Sequence, residues 1–319
     1  MVNKKRLVFA ALLIALCAIV FTLSACSAGT GISGIFTPSY TTEEFVITED
    51  FDSVLINVIT AEITLAASED NSCRLVVYSQ EKVNFGATVS DGKLTVTHSD
   101  ERAWYERIAF ITESPELTLY LPKAQYDTLV IDGTTGDVDV PKGFTFGTVD
   151  ISLTTGDINL FSDVTGMIKT KATTGDITFK NISAASIDLE LTTGDVALEN
   201  IVCGGNISIN IVTGETYLAN VTCHNLTSDG TSGSMTLVNV IASGKITSER
   251  TTGDITFEQS DAAELEITTS TGDVTGTLLT PKIFITNATT GKIDVPETIE
   301  GGVCKITTTT GDIIIDIAE

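Results

Sequence analysis

Residues 186–203 read Ser-Ile-Asp-Leu-Glu-Leu-Thr-Thr-Gly-Asp-Val-Ala-Leu-Glu-Asn-Ile-Val-Cys, and close copies of this stretch recur along the chain. Its centre, Thr-Thr-Gly-Asp at 192–195, is repeated exactly or with small changes around ten glycines that are 19 or 20 residues apart. These are Gly136, Gly156, Gly175, Gly194, Gly214, Gly233, Gly253, Gly272, Gly291 and Gly311. A fixed period of this length indicates one supersecondary unit that is copied and stacked.

Apolar residues alternate on both sides of each glycine, but their phase changes at the glycine. Ile187 and Leu189 share one parity before Gly194, and Val196 and Leu198 share the other parity after it. Period-two alternation is typical of strands, and the change of phase indicates a corner between two of them. We therefore predict an all-β fold: a single-chain parallel β-solenoid of about ten coils of 19–20 residues, with two or three short strands per coil.

Stacking of successive coils predicts that each strand pairs with its equivalent in the preceding and the following coil. Residues at the same position in each coil then form rows along the stack. Asn181, Asn200, Asn220 and Asn239 stand six residues after their glycines. They predict an amide ladder in which each side chain bonds its copies in neighbouring coils.

The N-terminal part of the chain departs from the regular repeat. It begins with a degenerate coil that has Ala61 in the glycine position, and residues 73–120 then alternate as antiparallel strands. A solenoid needs an atypical end to cover its open strand edge. We predict an N-terminal antiparallel β cap with the degenerate coil over residues 42–125, and the solenoid repeat domain over residues 126–319.

The first residues indicate export. A basic segment and an apolar stretch over residues 7–23 lead into Leu23-Ser24-Ala25-Cys26. This order is typical of a secretory signal, and the last four residues resemble a bacterial lipobox, in which the cysteine is lipidated after cleavage. We predict a lipoprotein signal peptide over residues 1–25, lipidation of Cys26 and a flexible tether over residues 26–41. An uncleaved membrane helix is the alternative.

The charge of the chain restricts its partners. The 42 Asp and Glu residues against 18 Lys and Arg give a net charge of −24. Because phosphate backbones are bound by Lys and Arg, nucleic acid is excluded as a partner. Membrane contact is expected through the lipid on Cys26, which predicts an exported, membrane-anchored, extracytoplasmic bacterial lipoprotein.

A row of acids follows the glycines. Asp137, Asp157, Asp176 and Asp195 would stack near 5 Å apart and repel one another by about 1 kcal/mol per pair. We expect their oxygens, with the threonine hydroxyls, to accept amides of the turn. The alternative is a row of Ca²⁺ sites, since hard cations take several carboxylate oxygens. No other metal or cofactor is expected.

Three further residues are candidates for a role. Cys203 and Cys223 stand nine residues after their glycines, so they should be neighbours in adjacent coils. They are either two reduced, small apolar residues or a disulfide favoured by export. Trp104, the single tryptophan, either plugs the end of the core or contacts a partner.

Several motifs together resemble a known family. Phe51-Asp52-Ser53-Val54, Leu117-Thr118-Leu119-Tyr120-Leu121-Pro122 and the repeated Thr-Thr-Gly-Asp-Val/Ile are similar to the bacterial DUF4097 family of β-strand-repeat proteins, which are described as candidate adhesins. The resemblance covers roughly residues 42–319 and implies no catalytic residues. Departures occur at Ser232-Gly233-Ser234 and Thr290-Gly291-Lys292.

These observations predict a non-catalytic lipoprotein of the cell envelope. It would act as an adhesin or scaffold, with a cell-wall, glycan or protein partner. Two alternatives remain. The resemblance also allows a protein that senses or regulates envelope stress. A polysaccharide-active β-helix enzyme is the other, although uniform coils and sparse basic residues argue against a walled catalytic groove.

Overall fold

A computed structural model describes residues 39–102 and 114–318. Cys26, the signal segment and Trp104 lie outside the described residues, so the predictions made for them stay predictions. The described part of the chain is built from strands and turns, without a helix. It therefore offers no helix of the length and apolarity that a membrane crossing requires.

The strands are numbered in chain order. The first nine are Tyr40–Ile47 (β1), Ser53–Thr60 (β2), Glu62–Ala67 (β3), Cys73–Gln80 (β4), Val83–Ser90 (β5), Lys93–Asp100 (β6), Glu116–Leu121 (β7), Gln125–Thr135 (β8) and Val138–Val140 (β9). The next nine are Thr145–Thr155 (β10), Ile158–Leu160 (β11), Asp163–Val164 (β12), Met167–Thr174 (β13), Ile177–Ala184 (β14), Ser186–Thr193 (β15), Val196–Cys203 (β16), Asn206–Thr213 (β17) and Thr216–Cys223 (β18). The last eight are Asn225–Ser232 (β19), Met235–Thr252 (β20), Ile255–Thr271 (β21), Val274–Leu278 (β22), Lys282–Thr290 (β23), Ile293–Asp294 (β24), Gly302–Thr310 (β25) and Ile313–Ile317 (β26).

Each regular coil consists of two strands that meet at the Thr-Thr-Gly-Asp corner. Strands before the corner pair in parallel with their equivalents, as β15 does with β13 and β17, and we name this sheet face A. Strands after the corner do the same, as β16 does with β14 and β18, and we name this sheet face B. The predicted parallel β-solenoid is confirmed, with two strands per coil.

The alternation seen in the sequence follows the core. The apolar residues before the corner and those after it both point into the space between face A and face B. In the coil of Gly194, they include residues that are each at most 1% exposed, namely Ile187, Leu189, Val196 and Leu198. Equivalent residues stack directly, as in the pairing of Leu189 with Ile209. Burial of these rows supplies the main favourable free energy of folding, since each square ångström of apolar surface that is removed from water contributes about 25 cal/mol.

The predicted amide ladder forms the second corner of the coil. The Nδ2 groups of Asn200, Asn220 and Asn239 each donate to the Oδ1 atom of the preceding asparagine at 2.9 Å. Asn181 and these three residues all have φ between 51° and 55°. Asparagine tolerates this left-handed backbone better than most residues, so the same side chain serves the turn and the stack.

The N-terminal end combines antiparallel and parallel pairing. Strands β4 and β7 pair in antiparallel fashion, as do β5 and β6, and β1 and β4, which confirms an antiparallel β cap. Strands β6 and β7 also pair in parallel with β2 and β3. They therefore form a level of the stack outside the degenerate coil β2–β3, which itself pairs with β8 and β9.

The C-terminal end departs from stacking in chain order. Strand β21 pairs with β25, and β25 pairs with β23. Strand β22 likewise pairs with β26, and β26 with β24. The last segment of the chain thus inserts between its two predecessors, and the expectation of strictly sequential coils is wrong here.

Ion pairs agree with this order. Glu266 on β21 contacts the Nζ atoms of Lys245 at 2.5 Å and Lys305 at 3.0 Å. Hydrogen bonds from Lys245 and Lys305 lower the pKa of Glu266 from 4.5 to about 2. In a strictly sequential stack, Ile285 would occupy the place that Lys305 takes beside Glu266.

Engineered cysteines test the order of the last coils. Residues 266 and 305 are paired in adjacent strands, which places them about 5 Å apart, within disulfide range. We expect Glu266→Cys/Lys305→Cys to form a disulfide under mild oxidation, as seen by non-reducing electrophoresis of a proteolytic digest. Glu266→Cys/Ile285→Cys spans two levels and should not form one. The reverse result would show sequential stacking.

The Glu266 ion pairs also predict a pH dependence. A carboxylate whose folded pKa is depressed stabilises the fold above its ordinary pKa and loses this contribution as the pH falls through the folded pKa. The melting temperature of the wild type should therefore exceed that of Glu266→Gln above pH 4.5, and the difference should vanish as the pH falls toward 2. Because the pairs are exposed, added salt should shrink it. Glu258 also lies on β21 but has no ion pair in the described structure. Glu258→Gln should therefore give no difference in melting temperature that disappears at low pH.

Candidate functional site

The Thr-Thr-Gly-Asp corner brings successive backbones unusually close. Gly194 has φ of 133°, which is outside the range that other residues adopt readily. A Cβ atom at Gly194 would overlap the carbonyl oxygen of Gly175 in the preceding coil. Both the conformation and the close approach therefore require glycine, which explains the most regular feature of the repeat.

The aspartates after the glycines bond from coil to coil. The backbone N–H of Asp195 donates to Oδ1 of Asp176 at 2.7 Å, and that of Asp176 donates to Oδ1 of Asp157 at 2.7 Å. Asp157 donates to Asp137 at 2.8 Å, and Asp137 donates to the Glu62 carboxylate of the degenerate coil. The expected partner was an amide of the same turn, whereas the structure uses the amide of the next coil. Bonds from amides to carboxylates are strong and offset the repulsion along the row.

The same geometry explains the departures from the acidic row. Ser234 replaces a carboxylate with a hydroxyl that accepts the N–H of Asp254 at 3.3 Å. Lys292 lies in the outermost level of the described stack, where no described coil follows that would need an acceptor. Its own N–H donates to Oδ1 of Asp312, and its side chain pairs with Asp294 at 2.6 Å.

The calcium hypothesis for Asp137, Asp157, Asp176 and Asp195 stays a prediction. One oxygen of each side chain already accepts a backbone amide. Within residues 39–102 and 114–318, no group of three or more His, Cys, Asp or Glu side chains is arranged to hold a metal ion.

Face A carries a groove of about 540 Å³ that runs across five coils. One wall is a row of polar side chains that are paired in register from β13 to β20, namely Lys171, Glu190, Asn210, Asp229 and Glu249. The other wall consists of Thr192, Val212, Thr231 and Thr251, and the floor of Ala172, Leu191, Ile211 and Gly230. The groove therefore follows the stacking axis, perpendicular to the strands.

Charge in the groove is uneven. Lys171 contacts Glu190 at 2.8 Å, and this hydrogen bond lowers the pKa of Glu190 and raises that of Lys171. Asp229 and Glu249 follow on the same wall. Lys171 is the one basic residue that lines the groove, so the groove is acidic toward its Glu249 end.

A polar cluster lies in the core beneath this end of the groove. Arg250, 1% exposed, occupies an inward position that is Leu191 three coils earlier. Its Nη2 group donates to Thr216 Oγ1 at 2.9 Å and to Ser228 Oγ at 2.8 Å. Gly230 makes room, since a Cβ there would overlap the guanidinium. Burial lowers the pKa of Arg250. This cluster is not among the residues predicted from the sequence, although polar residues in inward positions, such as Ser228 and Arg250, are a signal for it.

Of the remaining candidate residues, the structure describes Cys203 and Cys223. Cys203 and Cys223 are buried at equivalent places in adjacent coils of face B, and no bond joins them in the described structure. Burial raises the pKa of Cys223 to about 12 and also raises that of Cys203. The disulfide stays a prediction. His98 accepts the N–H of Ile59 at 3.2 Å, and the exposed His224 contacts Ser243, so the two histidines serve different parts of the fold.

The stacked two-stranded coils, their glycine corners and the antiparallel cap define a β-solenoid repeat protein. The sequence profile of the Toastrack family, DUF4097, matches residues 51–208 and 202–319. The chain belongs to this family, which confirms the resemblance found in its motifs. No curated protein matches the chain.

Several solved structures have a similar chain path. A candidate adhesin from Bacteroides fragilis NCTC 9343 is 12% identical, with a TM-score of 0.40 over 88% of this chain and 97% of its own. A candidate adhesin from Parabacteroides merdae ATCC 43184 is 11% identical, with a TM-score of 0.43 over 76% and 96%. A candidate lipid-binding protein from Parabacteroides distasonis ATCC 8503 is 13% identical, with a TM-score of 0.44 over 74% and 94%. Similarity at this level does not transfer a function.

A single methyl group tests the glycine corner. We expect Gly194→Ala to destabilise the protein by more than about 3 kcal/mol, because it adds backbone strain and a clash with Gly175. Gly204→Ala is the matched control, since a Cβ there lies 4.0 Å from its nearest neighbour. Thermal and denaturant unfolding of both variants measure the difference. Equal stability of the two would contradict the close approach.

Proposed function

We propose that the protein is an exported, lipid-anchored, non-catalytic binding protein of the cell envelope, an adhesin or scaffold that holds a linear glycan in the face A groove. The observation that carries the proposal is the groove itself, which crosses five coils along one axis. Its walls repeat once per coil, so they suit a ligand that also repeats along its length.

The length and lining of the groove fit an extended sugar chain. Four steps between five coils span roughly 19 Å, which accommodates a few sugar units. Glu190, Asn210 and Asp229 offer acceptors and an amide donor, and the facing threonines offer hydroxyls. The small apolar floor can contact the C–H faces of sugar rings.

The charge of the groove selects among glycans. Lys171 is already paired with Glu190, so no unpaired cation in the lining is available for a polyanion. Asp229 and Glu249 would repel sulfate or carboxylate groups. The proposed ligand is therefore a neutral or amine-bearing polysaccharide.

The absence of catalysis is part of the proposal and has support in the groove. A general acid for glycoside cleavage needs a raised pKa. Glu190 has the opposite shift, because the Lys171 side chain stabilises its charged form. The Glu190 carboxylate is thus suited to accept hydrogen bonds from sugar hydroxyls rather than to donate a proton.

The cap is the part of the described structure that follows the predicted tether in the chain. The predicted tether leads from Cys26 to the first described residues before β1, at the N-terminal end of the stack. The groove begins with β13, several levels further along the axis. A lipid on Cys26 would therefore hold the cap nearer to the membrane than the groove.

Polysaccharide retention tests the proposal. The full chain in detergent micelles is incubated with insoluble neutral and amine-bearing polysaccharides and with cell walls, and the bound fraction is measured. Asn210→Ala/Asp229→Ala removes polar groups from the middle of the groove. We expect it to lower the affinity about tenfold or more, at about 1 kcal/mol for each lost hydrogen bond.

The matched control lies on face B. Glu199→Ala/Thr222→Ala changes two outward residues of β16 and β18 and should leave retention unchanged. Equal loss in both double variants, or no retention by the wild type, would contradict a role for the groove. Release of reducing ends during incubation would contradict the non-catalytic part.

A further inference from the structure

One lysine is buried in a protein whose other described lysines reach solvent. Lys282, at the start of β23, is 3% exposed. Its Nζ atom lies 2.6 Å from Oδ1 of Asp261, which is 8% exposed. The ion pairs of Lys171, Lys180, Lys245, Lys292 and Lys305 are all much more exposed. This pair is therefore set apart by burial.

The pair bridges the inserted C-terminal coil. Asp261 lies on β21, Lys282 on β23, and β25 runs between these strands on face A. Lys282 is paired with Gly302 of β25, and a Cβ atom at Gly302 would overlap the carbonyl oxygen of Ala263. The missing side chain at Gly302 lets the backbones of β25 and β21 approach closely, and the lysine side chain reaches across this level to Asp261.

A third side chain completes a closed set of polar contacts. The hydroxyl of Thr280 accepts a hydrogen bond from Lys282 Nζ at 2.6 Å and donates one to Asp261 Oδ2 at 2.6 Å. The backbone N–H of Ala262 donates to Asp261 Oδ1 at 2.8 Å. The two carboxylate oxygens thus have different partners: a lysine and an amide on Oδ1, and a hydroxyl on Oδ2.

We propose that Lys282 and Asp261 react with each other to form an intramolecular amide, an isopeptide bond between Nζ and Cγ. The ammonium first gives a proton to the carboxylate, which turns the buried ion pair into an amine and a carboxylic acid. The amine lone pair then attacks Cγ to give a tetrahedral intermediate. Collapse of the intermediate breaks the bond from Cγ to Oδ2, and Oδ2 leaves as water with protons that come from the amine. One ammonium and one carboxylate become one amide and one water, without an oxidant or co-reactant.

The surrounding groups match the needs of each step. The Ala262 N–H lies at Oδ1, where negative charge develops in the intermediate. The Thr280 hydroxyl touches both the nucleophile and the leaving oxygen, so it can pass a proton from Nζ to Oδ2. Water is excluded by burial, and the fixed geometry replaces an encounter in solution.

The bond would lock the end of the solenoid. It would tie the outermost level to β21 and hold the C-terminal coil between them. The free energy of a buried ion pair is small or unfavourable after desolvation, so an ion pair alone is a weak clamp. A covalent amide would keep the inserted coil in place even when the rest of the fold is pulled or heated.

Mass spectrometry of the full chain tests the proposal. The intact mass should be lower by one water molecule than the mass of the processed sequence. Trypsin cannot cleave after a lysine whose amine is acylated, so a digest of the denatured protein should contain residues 251–292 as one peptide that lacks one water. An unmodified intact mass, with cleavage between Lys282 and Ile283, would show an ion pair only and would overturn the proposal.

Matched variants separate the amide from other losses of water. Lys282→Arg keeps the charge but not the nucleophile, and Asp261→Ala removes the acceptor, so both should restore the full mass. Thr280→Val should slow the loss of water in freshly purified protein. A cyclic imide at Asp261 would also lack one water, but it would leave trypsin cleavage after Lys282 intact, and this outcome would likewise overturn the proposal. The wild-type measurement stands even if a variant fails to fold.

Discussion

The close approach of stacked backbones at the glycine corner is the constraint on which the rest of the structure depends. Gly194 and its equivalents leave no room for a side chain, so each coil must sit directly over its neighbour. Direct stacking fixes the register of both faces and places every inward residue over its copy. It also brings the acidic residues into one row. Their repulsion is offset because each carboxylate accepts the amide of the next aspartate, as between Asp176 and Asp195. The corner therefore accounts for the glycines and for a good part of the acidic composition.

The regular stack makes a surface whose chemistry can vary without changing the fold. Outward residues of face A are paired in register but do not touch the core, so Lys171, Asn210 and Glu249 can occupy equivalent places. The groove arises from such a row and from the threonines beside it. The Arg250 cluster beneath the groove shows that inward residues also differ from coil to coil. Gly230, Ser228 and Thr216 are smaller or more polar than the residues in the same places of most other coils, and together they accommodate the guanidinium.

Sequence periodicity was sufficient to predict the solenoid, the inward residues, the degenerate first coil and the asparagine ladder, because all of these depend on contacts between equivalent positions. Periodicity could not predict the order of the last coils. Every coil presents nearly the same strand edge, so β21 can pair as well with β25 as with β23, and the choice depends on side chains such as Lys305 and Lys282. The groove was equally hidden, since its walls come from outward positions that the repeat leaves free. The Lys282 and Asp261 pair joins strands two levels apart, a separation that no repeat of 19 or 20 residues indicates.

The two ends of the stack place the ends of the described chain differently. An end coil has one neighbour instead of two, so a chain terminus placed there would fray readily. At the C-terminus the last strands, β25 and β26, have neighbours on both sides, whereas the outer level β23–β24 is continuous with chain before and after it. At the other end the degenerate coil β2–β3 lies between β6–β7 and β8–β9, whereas the first described strand, β1, lies outside it in the cap and pairs with β4. At the C-terminal end the outer level is thus restrained by chain connectivity, and the last described strands are restrained by pairing on both sides. This arrangement keeps the last strands away from the edge where unfolding of a solenoid would most easily begin.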